Sequence, residues 1–212
     1  TVLAREQCQD GKCERCGTEV LQKPLTQWFW NITKYSQQLL DGLSSLDWPE
    51  KTKIMQRNWI GQSDGAEVQF QLDGSSENIT VFTTRVDTIF SAAFVVLAPE
   101  HPLVAKITTS AQKNAVQAYQ KEAQKKTEIQ RTDLAKEKTG VFTGAFVINP
   151  ANGKKLQVWT ADFVLAHYGH GAVFADAHDE RDFEFAKKYT LPLTTTICPS
   201  KGYDDADIRA LK

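Results

Sequence analysis

Short apolar segments bounded by turn residues recur through the last two thirds of the chain, and this pattern limits the folds open to it. Apolar and polar residues alternate on both sides of an Asp-Gly-Ser-Ser turn, as in a β-hairpin. The predicted strands span residues 66–72, 79–84, 90–98, 141–148, 156–159, 172–175 and 191–198. With helical segments between them, they predict an α+β fold, a barrel-like mixed β-sheet over residues 61–200 flanked by helices.

Helical periodicity is strongest before this sheet. Residues 24–46 carry apolar side chains at three- and four-residue steps, which predicts one amphipathic helix, and Asp47-Trp48-Pro49 opens a second. Further helices are expected over residues 110–126 and 179–189. We therefore predict a helical stalk over residues 1–60 and a polar tail over residues 201–212.

Composition limits the class of protein. With 212 residues, 41% of them hydrophobic, the chain is long enough for one domain with an appendage or for two small ones. No apolar run approaches the ~20 residues of a membrane span, and no signal-peptide pattern is present, so we expect a cytoplasmic protein without membrane contact. The net charge of −1 argues against broad coating of nucleic acid but permits recognition of a few nucleotides.

The segment from Tyr168 to Tyr189 concentrates glycines, histidines and carboxylates at a turn that leads into a helix. Asp179 occupies a helix N-cap position, so helix initiation and ligand binding are both open for it. Asp182 lies three residues further on, and it is a second carboxylate that the helix cap does not require. We interpret it as a ligand residue that receives a cationic amine.

A second polar segment, Thr-Thr-Arg-Val-Asp-Thr, begins at Thr83 where a predicted strand ends. Functional groups are often presented at such a position, although threonine is also a good strand former. We find no glycine-rich phosphate loop, nucleophile elbow or two-histidine metal motif. A hydrolase built on these residues would have to activate water by positioning it.

Cys13 and Cys16 have the spacing of half a zinc site. Two further ligands are needed, and Cys8 is near enough in sequence to be only one of them. Half of a site completed by residues outside this chain and free surface cysteines are both open interpretations.

Several motifs together resemble the editing insertion, connective polypeptide 1, of bacterial-type leucyl-tRNA synthetases. They are T-V-L-A-x-E-Q, C-x-x-C, L-x-Q-W-F-x-x-I-T-x-Y, D-W-P-E-K-x-K-x-M-Q-R-N-W-I-G, V-F-T-T-R-x-D-T, L-A-P-E-H-P-L, K-T-G-V-F-T-G-A and A-H-D-E-R-D-F-E-F-A-K-K. The resemblance covers nearly the whole chain. The synthetic-site signatures His-Ile-Gly-His and Lys-Met-Ser-Lys-Ser are absent, so we do not expect this chain to activate amino acids with ATP.

The resemblance implies a deacylase that hydrolyses the ester between a non-cognate amino acid and the 3′-terminal adenosine of tRNA(Leu). It implies that Asp182 binds the substrate α-ammonium and that Thr83 and Thr84 contact the adenosine and hold the attacking water. Thr88 would exclude leucine. Other residues implied in substrate binding are Arg85, Tyr168 and Phe174 beside the adenosine, with Asp179 and Arg181 supporting Asp182.

The resemblance also implies partners and cofactors. The partners are tRNA(Leu) and the rest of the synthetase in cis, with residues 201–212 as the linker back to it and the fragment itself a monomer. No cofactor is expected for editing, whereas the full-length protein is expected to hold a structural zinc. Other readings are a non-catalytic module that binds the tRNA 3′ end, an isoleucyl- or valyl-type editing domain, and a metallohydrolase using His178, Asp179 and Asp182.

Three local differences set this chain apart from the family pattern. Arg-Pro-Asp-Thr becomes Arg85-Val86-Asp87-Thr88, and Gly-Thr-Gly becomes Gly169-His170-Gly171. The family's M-A-V-P-A-H-D is replaced by residues 174–179, F-A-D-A-H-D, one residue shorter and without proline. We therefore expect a rebuilt loop beside the amino-acid pocket, with Asp176 as an additional carboxylate.

Overall fold

The computed structural model describes residues 2–9, 11–20, 26, 28–126, 130–131, 137–194 and 196. Contacts divide the chain into two compact units, one within residues 22–64 and one formed by residues 1–21 together with residues 65–212. The predicted boundaries after residues 60 and 200 stay predictions, and the predicted linker over residues 201–212 lies outside the described residues. No helix in the described part of the chain is both long enough and apolar enough to cross a membrane.

The unit within residues 22–64 is helical. Its α-helices are α1 (Ser36–Gly42), with 3-10 turns at Ile32–Tyr35 and Leu43–Ser45 on either side of it, and α2 (Glu50–Ile60). Helix α2 ends at Gly61, whose φ of 65° places it in the left-handed region that favours glycine.

The single helix predicted over residues 24–46 is wrong at residues 28–31, which are not helical, whereas residues 32–45 form α1 and its two flanking 3-10 turns. Two side chains of that predicted apolar face, Trp28 and Phe29, are 102% and 78% exposed. Helices in proteins gain most of their stability from packing of an apolar face, and here aromatic and β-branched residues of low helix propensity lack that packing.

The larger unit is built on a mixed β-sheet. Its strands are β3 (Ala66–Leu72), β4 (Asn78–Thr83), β5 (Phe94–Leu97), β6 (Gly140–Ile148), β7 (Lys155–Ala161) and β8 (Ala172–Ala175). The spatial order is β4-β3-β6-β7-β5-β8. Strands β5 and β7 pair in parallel, and the other neighbours pair antiparallel. A separate small hairpin pairs β1 (Cys8–Gln9) with β2 (Lys12–Cys13).

The sheet curls strongly without closing. In the strand order β3 and β8 are four positions apart, or about 19 Å in a flat sheet. The rings of Phe70 on β3 and Phe174 on β8 nevertheless have centroids only 5.9 Å apart. No ladder joins β4 to β8 among the described residues, so the predicted barrel-like mixed sheet is confirmed as a curled, open one.

Alternation along the strands explains the core inside this curl. Val68, Phe70 and Leu72 are buried on β3, whereas the residues between them are exposed. The hairpin to β4 turns at Gly74, whose φ is 77°. The predicted strand over residues 90–98 begins later than expected, because Val86–Ser91 forms a 3-10 helix before β5. A strand is also predicted over residues 191–198. The described residues 191–194 and 196 do not form a strand, so this prediction is wrong there.

Within the described residues, the helices that accompany the sheet include α3 (Pro102–Ile107), α4 (Lys113–Ala123) and α5 (Glu180–Lys188). Helix α3 was not predicted, although Pro102 at its first turn is a typical start signal. Phe185 of α5 is fully buried against Phe94, Phe163 and Trp159. This packing fixes α5 on the sheet and thereby places the residues of its first turn.

Candidate active site

Asp179 is the N-cap of α5. Its carboxylate Oδ1 accepts a hydrogen bond from the backbone N–H of Asp182 at 3.2 Å, and its backbone is extended. The helix-initiating interpretation of Asp179 is therefore confirmed, whereas its support of a substrate stays a prediction.

Replacing Asp179 with alanine should lower the free energy of unfolding by about 1 kcal/mol, because the capping hydrogen bond is lost. Chemical denaturation measures this change. Glu184→Ala, at an exposed position in the middle of the same helix, is the matched control for loss of one carboxylate. Equal stability losses in the two variants would contradict a capping role.

Asp182 lies on the buried face of α5. It shares that face with Phe185 and Ala186, three and four residues further along, and only 3% of its surface is exposed. Its Oδ1 accepts a hydrogen bond from Nε of Arg181 at 3.0 Å. The Arg181 guanidinium lies 4.9 Å from the centroid of the Phe163 ring and 3.7 Å from Asp179. Arg181 therefore contacts the carboxylates of Asp179 and Asp182, and its support of a substrate site stays a prediction.

Burial raises the pKa of Asp182 from 3.8 to about 7, in opposition to the charge of Arg181, which lowers it. The neighbouring carboxylates Asp179 and Asp176 raise it further. Because the folded pKa lies above the ordinary value, the contribution of this group to stability is fully present below about pH 4 and is lost as pH rises through about 7. A buried carboxyl poised near neutrality is typical of functional sites.

The threonine-rich segment follows β4. The hydroxyl of Thr83, the last residue of β4, accepts a hydrogen bond from the backbone N–H of Arg85 at 3.0 Å. Thr84 and Arg85 are exposed. Arg85 donates two hydrogen bonds to Asp87, at 3.0 and 2.9 Å, and this pairing raises the pKa of Arg85 and lowers that of Asp87. The segment thus presents hydroxyls and a fixed guanidinium at one strand end.

Thr88 does not lie at a strand end as predicted but in the 3-10 helix Val86–Ser91. It is 2% exposed, and its hydroxyl donates to the backbone carbonyl of Arg85 at 3.0 Å. The hydroxyl is therefore engaged within its own turn, and the methyl group remains as the apolar part of the side chain.

Electrostatic coupling indicates which of these elements are neighbours. Asp176, directly after β8, raises the pKa of both Asp182 and Arg85. A Cβ added at Gly169 would lie 3.5 Å from Cβ of Phe82, so the turn that carries Tyr168 reaches the end of β4. The structure thus brings the first turn of α5, the segment after β8 and the segment after β4 near one another.

Two predicted substrate residues differ in exposure. Tyr168 is 66% exposed at the turn before β8, where an aromatic ring is accessible to a base. Phe174 is 7% exposed and packs against Phe70 in the core. Their contacts with adenosine stay predictions.

Polar contacts that the sequence did not reveal also fix this region. His170 Nε2 lies 2.7 Å from Oε1 of Glu67 on β3. Burial lowers the pKa of His101, the N-cap residue of α3, and its ring lies close to Gly171. His178 and Ser91 approach each other although they are 87 positions apart. The sequence drew attention to His170 and His178 but gave no signal for their partners Glu67 and Ser91, which are distant in the chain.

The cysteine segment forms a tight hairpin in which Cys8 faces Cys13. The turn from Cys13 to Gly17 is closed by a backbone hydrogen bond of 2.9 Å, and Cys8, Cys13 and Cys16 are free thiols. Among the described residues, no three His, Cys, Asp or Glu side chains are placed to hold one metal ion. The structural zinc of a full-length protein therefore stays a prediction, and His178, Asp179 and Asp182 do not form a ligand set.

Comparison with known proteins decides the family. The family model for the editing domain of leucyl-tRNA synthetase matches residues 57–211. The chain belongs to this family. Among solved structures, the editing domain is similar to the agnB2 leucyl-tRNA synthetase of Agrobacterium radiobacter K84, solved in a ternary complex with tRNA and LeuAMS. The TM-score is 0.71 and the identity 36%, over 98% of this chain and 26% of that synthetase.

The editing domain thus spans about a quarter of the length of the synthetase that it matches. The resemblance to the leucyl family is confirmed, and with it the mixed α/β architecture of the domain. The reading as an isoleucyl- or valyl-type domain lacks comparable support, because the matching family is the leucyl one.

Proposed function

We propose that the editing domain hydrolyses the ester that joins a near-leucine amino acid, such as isoleucine or norvaline, to the 3′-terminal adenosine of tRNA(Leu). The observation that carries this proposal is Asp182, a buried carboxyl with a pKa of about 7 in the first turn of α5. It belongs to a domain of the leucyl editing family, and the matched synthetase was solved in a complex that contains tRNA.

The chemistry needs a site for a cation and a placed water. The α-ammonium of the substrate would pair with the Asp182 carboxylate, and this pairing would lower the pKa of Asp182 by favouring its ionised form. A water held near the hydroxyls of Thr83 and Thr84 would attack the ester carbonyl. Breaking the bond to the ribose oxygen then releases the free amino acid and the tRNA with its terminal hydroxyl restored.

Selectivity explains why such a site is useful. A binding pocket separates amino acids that differ by one methylene by only about 1–3 kcal/mol. A second, hydrolytic site with different selection rules multiplies that discrimination. A leucyl family domain that destroys near-leucine esters and spares leucyl-tRNA(Leu) would supply it.

Release of radiolabelled amino acid from isoleucyl-tRNA(Leu) and norvalyl-tRNA(Leu) tests the proposal. We expect release above the buffer rate at high domain concentration, because the chain covers 26% of the matched synthetase and most of that protein is absent from the assay. Treatment with EDTA should leave the rate unchanged, whereas loss of activity that added metal restores would support a metallohydrolase. Binding of the tRNA without release, by a domain shown to be folded, would support the non-catalytic module.

The deacylation rate should rise with pH across neutrality. Asp182, with a pKa of about 7, changes from protonated to ionised in this range, and only the ionised form pairs with an ammonium. After subtraction of the buffer rate, we expect a sigmoidal increase between about pH 6 and pH 8 that Asp182→Asn abolishes. A wild-type profile that stays flat over this range would contradict a titrating Asp182.

A further inference from the structure

The loop between β8 and α5 is joined to the 3-10 helix Val86–Ser91 by hydrogen bonds between side chains. Oδ1 of Asp176 lies 3.0 Å from Nδ1 of His178 and accepts the backbone N–H of His178 at 2.6 Å. The same Nδ1 lies 3.4 Å from Oγ of Ser91. Ser91 is fully buried, and the side chains of Asp176 and His178 are 10% and 21% exposed.

The number of hydrogens on each group determines which atom donates and which accepts in these contacts. The Ser91 hydroxyl has one hydrogen and donates it to the backbone carbonyl of Thr88 at 2.8 Å. Ser91 Oγ is thus an acceptor toward His178, and an ionised Asp176 carboxylate only accepts. Nδ1 of His178 therefore carries a hydrogen that is shared between Asp176 and Ser91, and Asp176 selects that tautomer.

These contacts link two segments that the proposed function assigns to substrate binding, the Thr88 turn and the first turn of α5. On one side they reach the carbonyl of Thr88 through Ser91. On the other side His178 directly precedes Asp179, whose carboxylate caps the N–H of Asp182. Asp176 also influences the pKa of Asp182, so the loop lies beside that carboxyl.

We propose that His178, oriented by Asp176, is a positioning residue that holds the Thr88 turn against the first turn of α5 and thereby sets which amino acid the domain rejects. The inference rests on the proposed function and adds to it a specificity determinant. The shortened loop supports it, because Asp176 stands where the family pattern has Val-Pro and supplies the acceptor that orients the imidazole. The hydrogen bonds of Asp176 thus restrict the conformation of the loop, as a proline would do by fixing its own φ angle.

The experiment compares deacylation of leucyl-tRNA(Leu) and isoleucyl-tRNA(Leu) by the wild type, His178→Ala, Ser91→Ala and the double variant. We expect each single variant to lower the isoleucyl-to-leucyl rate ratio about three- to tenfold, the range of one hydrogen bond. The double variant should lose no more than one single variant, since both remove the same contact. His178→Asn, whose side-chain amide can donate near the position of Nδ1, should restore most of the ratio.

The outcomes separate two kinds of failure. A folded wild type that releases amino acid from neither ester overturns the proposed function and this inference with it. An active wild type whose ratio is unchanged in His178→Ala overturns the inference alone. Additive losses in the double variant would also overturn it, because two variants that remove the same contact do not have independent effects. Hydrogen exchange at the Thr88 and Ile89 amides checks the structural link, and unchanged exchange in His178→Ala contradicts it.

Discussion

Replacing Asp182 with alanine is expected to lower deacylation of isoleucyl-tRNA(Leu) by roughly ten- to a hundredfold while the domain stays folded. A hydrogen bond to a charged group contributes about 1.5–3 kcal/mol, and the variant loses this interaction with the substrate ammonium. The site is already fixed by the packing of Phe185 on the sheet, so the fold does not depend on the carboxylate. Single-turnover release of amino acid at matched concentrations measures the effect.

Two controls sharpen this test. Glu184→Ala removes a carboxylate from an exposed position of the same helix and should keep wild-type activity. Asp182→Asn keeps the shape of the side chain and should lose activity as Asp182→Ala does, because a neutral amide does not replace the charge. Wild-type rates in both Asp182 variants would remove Asp182 from the site.

Replacing Thr88 with alanine is expected to allow hydrolysis of correctly charged leucyl-tRNA(Leu), at a rate raised roughly ten- to a hundredfold above the wild type. Thr88 is 2% exposed, and its hydroxyl is bound to the carbonyl of Arg85, so its β-branched side chain is held in one orientation. We expect this side chain to exclude the leucine γ-branch by repulsion and alanine to remove that barrier. Hydrolysis of isoleucyl-tRNA(Leu) should remain largely intact.

Thr88→Val distinguishes bulk from hydrogen bonding. Valine keeps the branched shape and loses the hydroxyl, so it should still spare leucyl-tRNA(Leu) if exclusion is steric. Thr80→Ala on β4 is the control for loss of a threonine from the sheet. Equal and negligible leucyl-tRNA(Leu) hydrolysis by the wild type and Thr88→Ala would show that Thr88 does not discriminate. That role would then move to the loop that contains Asp176 and His178.

The sequence by itself determined several local elements of the larger unit. Alternation along residues 66–72 predicted which side chains of β3 enter the core, because successive residues of a strand point to opposite faces. The acid at position 179 predicted the start of α5, because a cap needs only its own helix. The motifs that resemble leucyl editing domains led to the family by the same local route.

Only the tertiary structure decided the rest, because it depends on residues that are distant in sequence. The helix predicted over residues 24–46 is not continuous, since an apolar face stabilises a helix only when it packs, and Trp28 and Phe29 are exposed. The pKa of about 7 at Asp182 depends on burial and on Asp176, and the contact between Ser91 and His178 joins residues 87 positions apart. Burial and long-range contact are properties of the folded chain, so no local pattern reports them.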